Sequence, residues 1–204
     1  MDAYIIRLGI LLIEQRSSLR THICEAAVIA LSPELKLNVF CAENPSQVGI
    51  LGLQFLWTRD VEHALVQALT HKKVMQSTDD NFLAMLTALI ENTSTQLTKV
   101  ERTKFESLVT LHCHQYDVFH NMVLLNVCSL NDFEWYKQSR YYFELANRKI
   151  NITITDISFN YCDEFIGCVE RLCVTPLTDR CYITLVQALG MGFGGAIVGP
   201  AGTG

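Results

Sequence analysis

The glycine-rich stretch at the C-terminus constrains the fold of this chain more than any other feature. Residues 195–198 (Gly-Ala-Ile-Val) are apolar and β-prone, and they lead into Gly199-Pro-Ala-Gly-Thr-Gly204. These six residues fit the first part of the pattern G-x-x-x-x-G-K-[ST], in which the backbone N–H groups of a glycine-rich loop surround a phosphate. A strand followed by this loop predicts the start of an α/β nucleotide-binding module; the alternative is a flexible glycine-rich tail.

The N-terminal part of the chain has a helical pattern. From the start to about Leu31, apolar residues recur at intervals of about three to four residues, which predicts a helix. The stretch 33–45, with a proline at each end, breaks this pattern. Residues 47–57 form an almost continuous apolar segment that contains Gly49 and Gly52. This composition predicts a segment that is buried on several sides.

Several helix starts after residue 57 are predicted from residues that favour the N-cap position, where a side-chain oxygen accepts a hydrogen bond from the first turn. Thr98 with Glu101 three residues later forms a capping-box pattern that opens a long helix. The other predicted N-caps are Thr58, for a helix to about Lys73, then Thr78 or Asp79, and Asn131-Asp132. The chain from residue 58 to about 140 is therefore predicted to be a helical array.

The hydrophobic period changes near residue 141. Apolar and polar residues alternate over 141–145 and 150–154, with a turn near Asn147, and the alternation continues over 157–161. Such alternation is typical of antiparallel strands with one buried face.

After these strands the pattern indicates an extended segment, Arg171–Thr175, and then another helix. Thr178-Asp179 is predicted to cap this helix, which runs to Leu189 and ends at Gly190. The predicted fold class is therefore α+β: a helical array, a short antiparallel strand region, and the first helix and strand of an α/β P-loop module.

Composition excludes some classes of function. The net charge is −5 and the basic residues are not clustered, which argues against a nucleic-acid surface. The N-terminal apolar runs are shorter than the roughly eighteen residues of a membrane span, so no membrane contact is predicted. The eight cysteines include no C-x-x-C pair, and no secretory signal precedes them, which favours reduced thiols in the cytosol.

One histidine cluster carries the donor atoms that a metal site would need: His112-Cys113-His114 and His120. On a helix, however, His112 and His114 point about 200° apart, so they cannot share one ion. No metal ligand and no catalytic residue is predicted in this chain.

Longer motifs carry a resemblance to a known family. The segment from Arg171 to Met191, RLCVTPLTDRCYITLVQALGM, leads into Gly194-Gly-Ala and into the loop at 199–204. Upstream motifs occur in the matching order: Gln47-Val-Gly-Ile-Leu-Gly52, Trp57-Thr-Arg-Asp60, Leu97–Glu106, Leu108–Gln115, Asp132-Phe-Glu-Trp135 and Glu164-Phe-Ile-Gly-Cys168. From about residue 44 onward the chain closely resembles the dynein heavy chain, most of all the axonemal outer-arm type.

The resemblance implies a domain organisation. Residues 1–145 would be the C-terminal part of the linker, the helical lever that lies across the motor ring. Within this range, about the first 43 residues contain no motif that matches the family. Residues 150–204 would begin the first AAA+ module, whose hydrolysis of ATP drives movement toward the microtubule minus end. We interpret the chain as part of such a motor or as an incomplete gene model. The alternative is a non-catalytic helical interaction module that retains the linker without a working ATPase.

The resemblance also implies site residues, cofactors and partners. Gly199, Pro200, Ala201, Gly202, Thr203 and Gly204 would be part of the Walker A loop, and the adenine pocket would be lined by Leu172, Val174, Pro176, Leu177 and Thr178. ATP and Mg²⁺ would be the cofactors of the intact module. The implied partners are microtubules, dynein intermediate and light chains, and other heavy chains. The implied location is the cytoplasm and cytoskeleton, in the axoneme of a cilium or flagellum.

Departures from the family pattern affect this prediction. Ile197-Val198 stands where the family usually has Pro-Ala, and Tyr116 stands where it usually has Arg. The Walker A Lys and Thr are also absent from these 204 residues. Since phosphoryl transfer depends on that Lys and on Mg²⁺, the 204-residue chain by itself is predicted to be inactive.

Overall fold

The computed structural model describes residues 2–32, 37–71 and 73–200, without the side chains of residues 2–6 and Asn38. The helices are α1 (Asp2–Ala30), α2 (Leu37–Glu43), α3 (Ser46–Ala68), α4 (Lys73–Thr93), α5 (Lys99–Leu124), α6 (Phe133–Tyr136) and α7 (Pro176–Gly190). Three strands, β1 (Arg140–Glu144), β2 (Lys149–Ile154) and β3 (Ile157–Asn160), lie between α6 and α7. This composition confirms the predicted α+β class.

Helix α3 is the centre of the helical part and packs against α1, α4, α5 and β1. Its residues 46–58 are all buried, which confirms the prediction for the apolar segment 47–57. Gly52 is needed there because a Cβ at this position would overlap the ring of Phe40, and Ala30 lies close behind it. The absence of a side chain therefore lets α2 and α1 approach α3 closely.

Two groups of buried side chains form the core. The first joins α1, α2, α3, α5 and the strands, with Ile23, Leu53 and Leu108 at most 1% exposed. The second lies where the C-terminal half of α3 meets α4, α5 and α6. In this second group the rings of Trp57 and Trp135 are 5.2 Å apart between centroids. The helical array is thus held by apolar contacts along the whole length of α3.

Two predicted helix starts are wrong. Thr58 lies inside α3, and Asp79, like Thr78, lies inside α4. The Thr58 hydroxyl donates to Gln54 O at 2.9 Å and accepts from the Tyr141 N–H at 3.1 Å, so it bonds to the sheet and not to a helix N-terminus. Asp79 is buried, and its carboxylate contacts the His120 ring at 2.9 Å. The Thr58 hydroxyl and Asp79 Oδ2 thus bond to other elements, while Asp79 Oδ1 is buried without a hydrogen-bond partner in the described structure.

Two other predicted starts are confirmed. Thr98 and Glu101 form a complete capping box at the start of α5, with Glu101 Oε2 2.9 Å from the Thr98 backbone N. Asp132 is the N-cap of α6 and accepts from the Glu134 N–H at 3.0 Å. Each pattern specifies a contact within one helical turn, so the local sequence is enough to form it.

The three strands form one antiparallel sheet in the order β1-β2-β3. Phe143 is opposite Ile150 and Ile152 is opposite Phe159, which confirms the predicted hairpin with its turn near Asn147. The sheet lies on α3, where Tyr142 Oη donates to Glu62 Oε1 at 2.6 Å. The alternating strands therefore extend the helical array and cover the side of α3 that would otherwise be exposed.

Helix α7 follows the sheet but begins three residues earlier than predicted. Its N-cap is Thr175, Pro176 occupies the first turn, and Thr178 completes a capping box with Thr175. Proline is favourable at this position because its missing N–H has no partner inside the helix. Gly190 is the last residue of α7, as predicted.

The predicted strand at Gly195–Val198 is not formed, since residues 193–200 have no regular secondary structure. Ile197 and Val198 are 68% and 91% exposed. A strand requires a neighbour for its backbone hydrogen bonds, and in the described part of the chain β1–β3 pair only with one another. No helix among the described residues is long and apolar enough to cross a lipid bilayer.

The three histidines of the candidate metal cluster bind to different partners. His112 is fully buried, with Nδ1 3.2 Å from Gln115 Oε1 and Nε2 3.1 Å from Phe82 O. His114 faces Asp179, and His120 contacts Asp79. Within the described ranges no group of three His, Cys, Asp or Glu side chains is arranged to hold a metal ion.

The buried His112 should make the stability of the chain depend on pH. Burial lowers the pKa of His112, and the hydrogen bonds to Gln115 and Phe82 oppose this only in part. Below about pH 6.5 the unfolded state therefore binds the proton more strongly than the folded state, so stability falls as the pH decreases. We expect His112→Gln to reduce the loss of unfolding free energy between about pH 7.5 and about pH 5 by about 1 kcal/mol.

Urea unfolding of both proteins at the two pH values measures this difference. A Gln at position 112 keeps an amide that can donate to Phe82 O but cannot titrate in this range. Equal pH dependence of the two proteins would show that His112 is not responsible. The pKa of His114 is also lowered, mainly by burial, so some pH dependence should remain in the variant.

Candidate nucleotide-binding region

The residues predicted to bind nucleotide lie in two places. Gly199 and Pro200 are exposed and irregular, while Ala201, Gly202, Thr203 and Gly204 lie outside the described residues. Exposure leaves the backbone of Gly199 without covering side chains, as a loop that approaches a phosphate requires.

The predicted adenine segment surrounds the start of α7. Leu172 is 89% exposed and Leu177 is 67% exposed, whereas Val174 is half-buried. Pro176 and Thr178 belong to the first turn, and the Thr178 hydroxyl accepts from the Thr175 N–H at 2.7 Å. Thr178 therefore shapes the turn through its side chain, and the two leucines present free apolar surface beside it.

Helices α5, α6 and α7 border a cleft of about 400 Å³ next to this turn. Val174 and Pro176 line it on one side, and the opposite side is polar and charged: His114, Asp117, His120, Glu134 and Lys137. His114 Nε2 lies 4.0 Å from Asp179 Oδ1 across the cleft. Because burial lowers the pKa of His114, this contact is between a largely neutral ring and a carboxylate near neutral pH.

Gln187 attaches α7 to the sheet, a contact that the sequence did not reveal. Its Nε2 donates to Thr155 Oγ1 at 2.6 Å and to Asp156 Oδ1 at 2.9 Å in the turn between β2 and β3. The hydrogen bond from Gln187 lowers the pKa of Asp156. Helix α7, which precedes the predicted nucleotide loop, is thus held on the sheet that packs on α3, although none of its residues is fully buried.

The C-terminal quarter of the chain matches a family model. Residues 161–204, which include α7 and the segments predicted to bind adenine and phosphate, match the model described as the hydrolytic ATP binding site of dynein motor region. The region that follows the sheet is therefore of the AAA+ ATP-binding class found in dynein motors.

Whole-chain comparisons identify the type of dynein. The chain is 51% identical over 197 residues to dynein axonemal heavy chain 5 of Rattus norvegicus, which covers 97% of this chain and 6% of the relative. It is 50% identical over 190 residues to dynein axonemal heavy chain 8 of Mus musculus (93% and 4%) and 42% identical over 172 residues to the dynein gamma chain, flagellar outer arm, of Chlamydomonas reinhardtii (84% and 4%). The chain is dynein heavy-chain sequence of the axonemal type, which confirms the resemblance indicated by its motifs.

The alignments bear on two further points. The relatives are named as axonemal or flagellar outer-arm proteins, in agreement with the predicted location at the cytoskeleton and axoneme. An alignment over 97% of the chain leaves only a few residues outside it, so most of the first 43 residues also resemble these relatives. The chain spans only 4–6% of the length of the relatives it matches.

Proposed function

We propose that this chain supplies the C-terminal part of the linker and the opening of the first AAA+ module of an ATP-driven motor that moves toward the microtubule minus end. Residues 1–145 are assigned to the linker and residues 150–204 to the module. The match of residues 161–204 to the ATP-binding region of the dynein motor carries this proposal. The helical array ends with α6 at Tyr136, and β1 and β2, which lie on either side of the proposed boundary, pair in one sheet and so join the two parts.

In this proposal Gly199 to Gly204 are the first part of the Walker A loop, and ATP with Mg²⁺ is bound when the loop continues into a complete module. The glycine-rich backbone would donate N–H groups to the phosphates. The lysine and hydroxyl that follow in the pattern would contact the outer phosphates and hold Mg²⁺. These 204 residues would therefore contribute the backbone of the loop and the segment that leads into it.

The segment from Leu172 to Thr178 would bind the adenine. Leu172 and Leu177 expose apolar surface on the two sides of the Thr175–Pro176 turn, where a planar base could replace water. The capping box between Thr175 and Thr178 holds this turn in one conformation. The leucines would contribute binding energy without taking part in phosphoryl transfer.

The partners proposed for the intact heavy chain are microtubules, other heavy chains, and intermediate and light chains. They would be bound by parts of the protein outside these 204 residues. Location in an axoneme is consistent with the names of the relatives. The contribution of this segment is then to connect nucleotide binding with the linker.

Substitution of the two exposed leucines tests the adenine assignment. In a longer heavy-chain polypeptide in which this sequence continues through a complete ATP-binding module, Leu172→Asp and Leu177→Asp should each raise the KM for ATP about tenfold with little change in kcat. A contact made equally in the ground state and the transition state affects KM in this way. Steady-state ATPase assays give both constants.

Leu189→Asp is the matched control, since Leu189 is 57% exposed near the other end of α7. It should leave KM within about twofold of the unsubstituted protein. An unchanged KM for both Leu172→Asp and Leu177→Asp would show that the adenine binds elsewhere. An unsubstituted polypeptide without ATPase activity would instead contradict the proposed function as a whole.

A further inference from the structure

Residues 161–175 form a connector that joins β3 to α7, and its second half contains Leu172 and Val174, two of the proposed ATP-binding residues. The connector has no regular secondary structure. Its first residue still extends the sheet, because the Tyr161 N–H donates to Ile150 O at 2.9 Å. After Tyr161 the connector has no further hydrogen bonds to the sheet backbone among the described residues, so its position depends on contacts with side chains of the helices.

One buried side chain of α3 makes three hydrogen bonds to this segment. Gln47 lies in the first turn of α3 and is 6% exposed. Its Oε1 accepts from the Ile166 N–H at 3.0 Å, and its Nε2 donates to Glu164 O at 2.6 Å and to Tyr161 Oη at 2.5 Å. The backbone donor and the backbone acceptor together require this orientation of the amide, so reversing it would break two bonds.

Other helices hold the same half of the connector. Arg20 of α1 lies 3.8 Å from Asp163, and Arg16 lies 3.6 Å from Glu164, but both arginines are largely exposed. The Ser107 hydroxyl of α5 donates to Val169 O at 3.1 Å. An ion pair with an exposed arginine contributes little, although the Asp163 side chain itself is only 14% exposed. The buried amide of Gln47 makes three hydrogen bonds to residues 161–166, more than any other side chain in the described structure.

The second half of the connector is different. Residues 170–174 form no hydrogen bond or ion pair within the described structure, and Leu172 and Cys173 are exposed. The next polar contacts occur at the capping box of α7 and at Gln187. Gln47 therefore marks the last buried polar attachment to α3 before the chain reaches the proposed nucleotide-binding residues.

We propose that Gln47 is a positioning residue of the ATP-driven cycle: it fixes the start of the connector to α3 and thereby sets where the ATP-binding region begins relative to the helical array. This inference rests on the proposed function. Gln47 does not touch nucleotide; it acts through the connector. Small displacements of groups that position a substrate can cost up to about a hundredfold in rate, so the loss of such an attachment should be measurable.

Gln54 offers a matched control on the same helix. It is 8% exposed, lies about two turns further along α3, and borders the same cleft as Tyr141 of β1. Gln54→Leu also removes a buried amide. The Gln54 side chain borders a cleft with Arg171 and Val174, but in the described structure it forms no hydrogen bond to residues 161–175. Gln47→Leu and Gln54→Leu should therefore have similar unfolding temperatures, but only Gln47→Leu should loosen the connector.

The first measurement is amide hydrogen exchange on the 204-residue chain. Gln47→Leu should speed exchange at Ile166 by at least about tenfold, because its N–H loses its acceptor, and Gln54→Leu should not. Gln47→Glu should have an intermediate effect, because a carboxylate can still accept from Ile166 but cannot donate to Glu164 O. Equal exchange at Ile166 in both leucine variants would overturn the proposal.

The second measurement is ATPase activity in the longer heavy-chain polypeptide. Gln47→Leu should lower kcat about tenfold, and Gln54→Leu less than about twofold, at equal unfolding temperature. Equal activities would show that Gln47 has only a structural role and would overturn the positioning assignment. If the unsubstituted polypeptide hydrolyses no ATP, the proposed function fails, and a faster exchange confined to Gln47→Leu still establishes the attachment of the connector.

Discussion

A polypeptide of these 204 residues should bind ATP with a dissociation constant of about 1 mM or higher. A longer heavy chain with a complete ATP-binding module should bind ATP with a dissociation constant of about 1 μM. Gly199 is exposed, so water competes for its backbone N–H. Ordering a glycine-rich loop costs about 1–2 kcal/mol per residue. Backbone N–H groups without the lysine and Mg²⁺ of the full pattern supply little charge to offset this cost.

Calorimetric titration of both polypeptides with ATP, in the presence and absence of Mg²⁺, measures the difference. The expected change of about a thousandfold corresponds to about 4 kcal/mol of binding free energy. Binding by the longer polypeptide should weaken when Mg²⁺ is removed, and binding by the shorter one should not change. Micromolar binding by the 204-residue polypeptide would place most of the binding energy in residues it already contains. It would also support a separate activity for this part of the chain.

Replacing Trp135 with alanine should strongly destabilise the chain. Trp135 is fully buried, and its ring lies 5.2 Å from that of Trp57 between centroids. It joins the short helix α6 to the second core group. We expect Trp135→Ala to lower the free energy of unfolding by about 3–5 kcal/mol, because it removes a large apolar contact and leaves a cavity.

Trp135→Phe is the informative control. The indole Nε1 of Trp135 is buried and has no hydrogen-bond partner in the described structure. Phenylalanine keeps an aromatic ring against Trp57 and removes this unpaired donor, so its cost should be less than half that of alanine. Urea unfolding followed by circular dichroism gives both values. A similar loss for the two variants would mean that the indole nitrogen has a partner, or that ring size dominates.

Contacts within one or two turns were predictable from the sequence. The capping box of Thr98 with Glu101 and the N-cap of Asp132 form as predicted, because each donor and acceptor is supplied by residues two or three apart. The hairpin around Asn147 was also predictable, since the two alternating segments 141–145 and 150–154 pair across this turn, with Phe143 opposite Ile150. The family was also recognisable, because several long motifs in the matching order carry more information than any single spacing.

Other assignments depended on which partners folding brings together. Thr58 has the side chain of an N-cap, yet buried apolar residues continue on both sides of it and the β1 backbone supplies a partner, so α3 runs through it without a break. Residues 195–198 have the composition of a strand, but a strand forms only beside a neighbour.

The sequence by itself therefore determined the class of the chain, its helical and alternating segments, and the location of the candidate nucleotide residues. Only the tertiary structure decided how those residues are attached. Gln47 is 114 residues from Tyr161, and Gln187 is 32 residues from Thr155. A glutamine has no local signature for such partners, because an amide can donate and accept in any direction. Its role is fixed only when burial removes water and leaves the other elements of the fold as its partners.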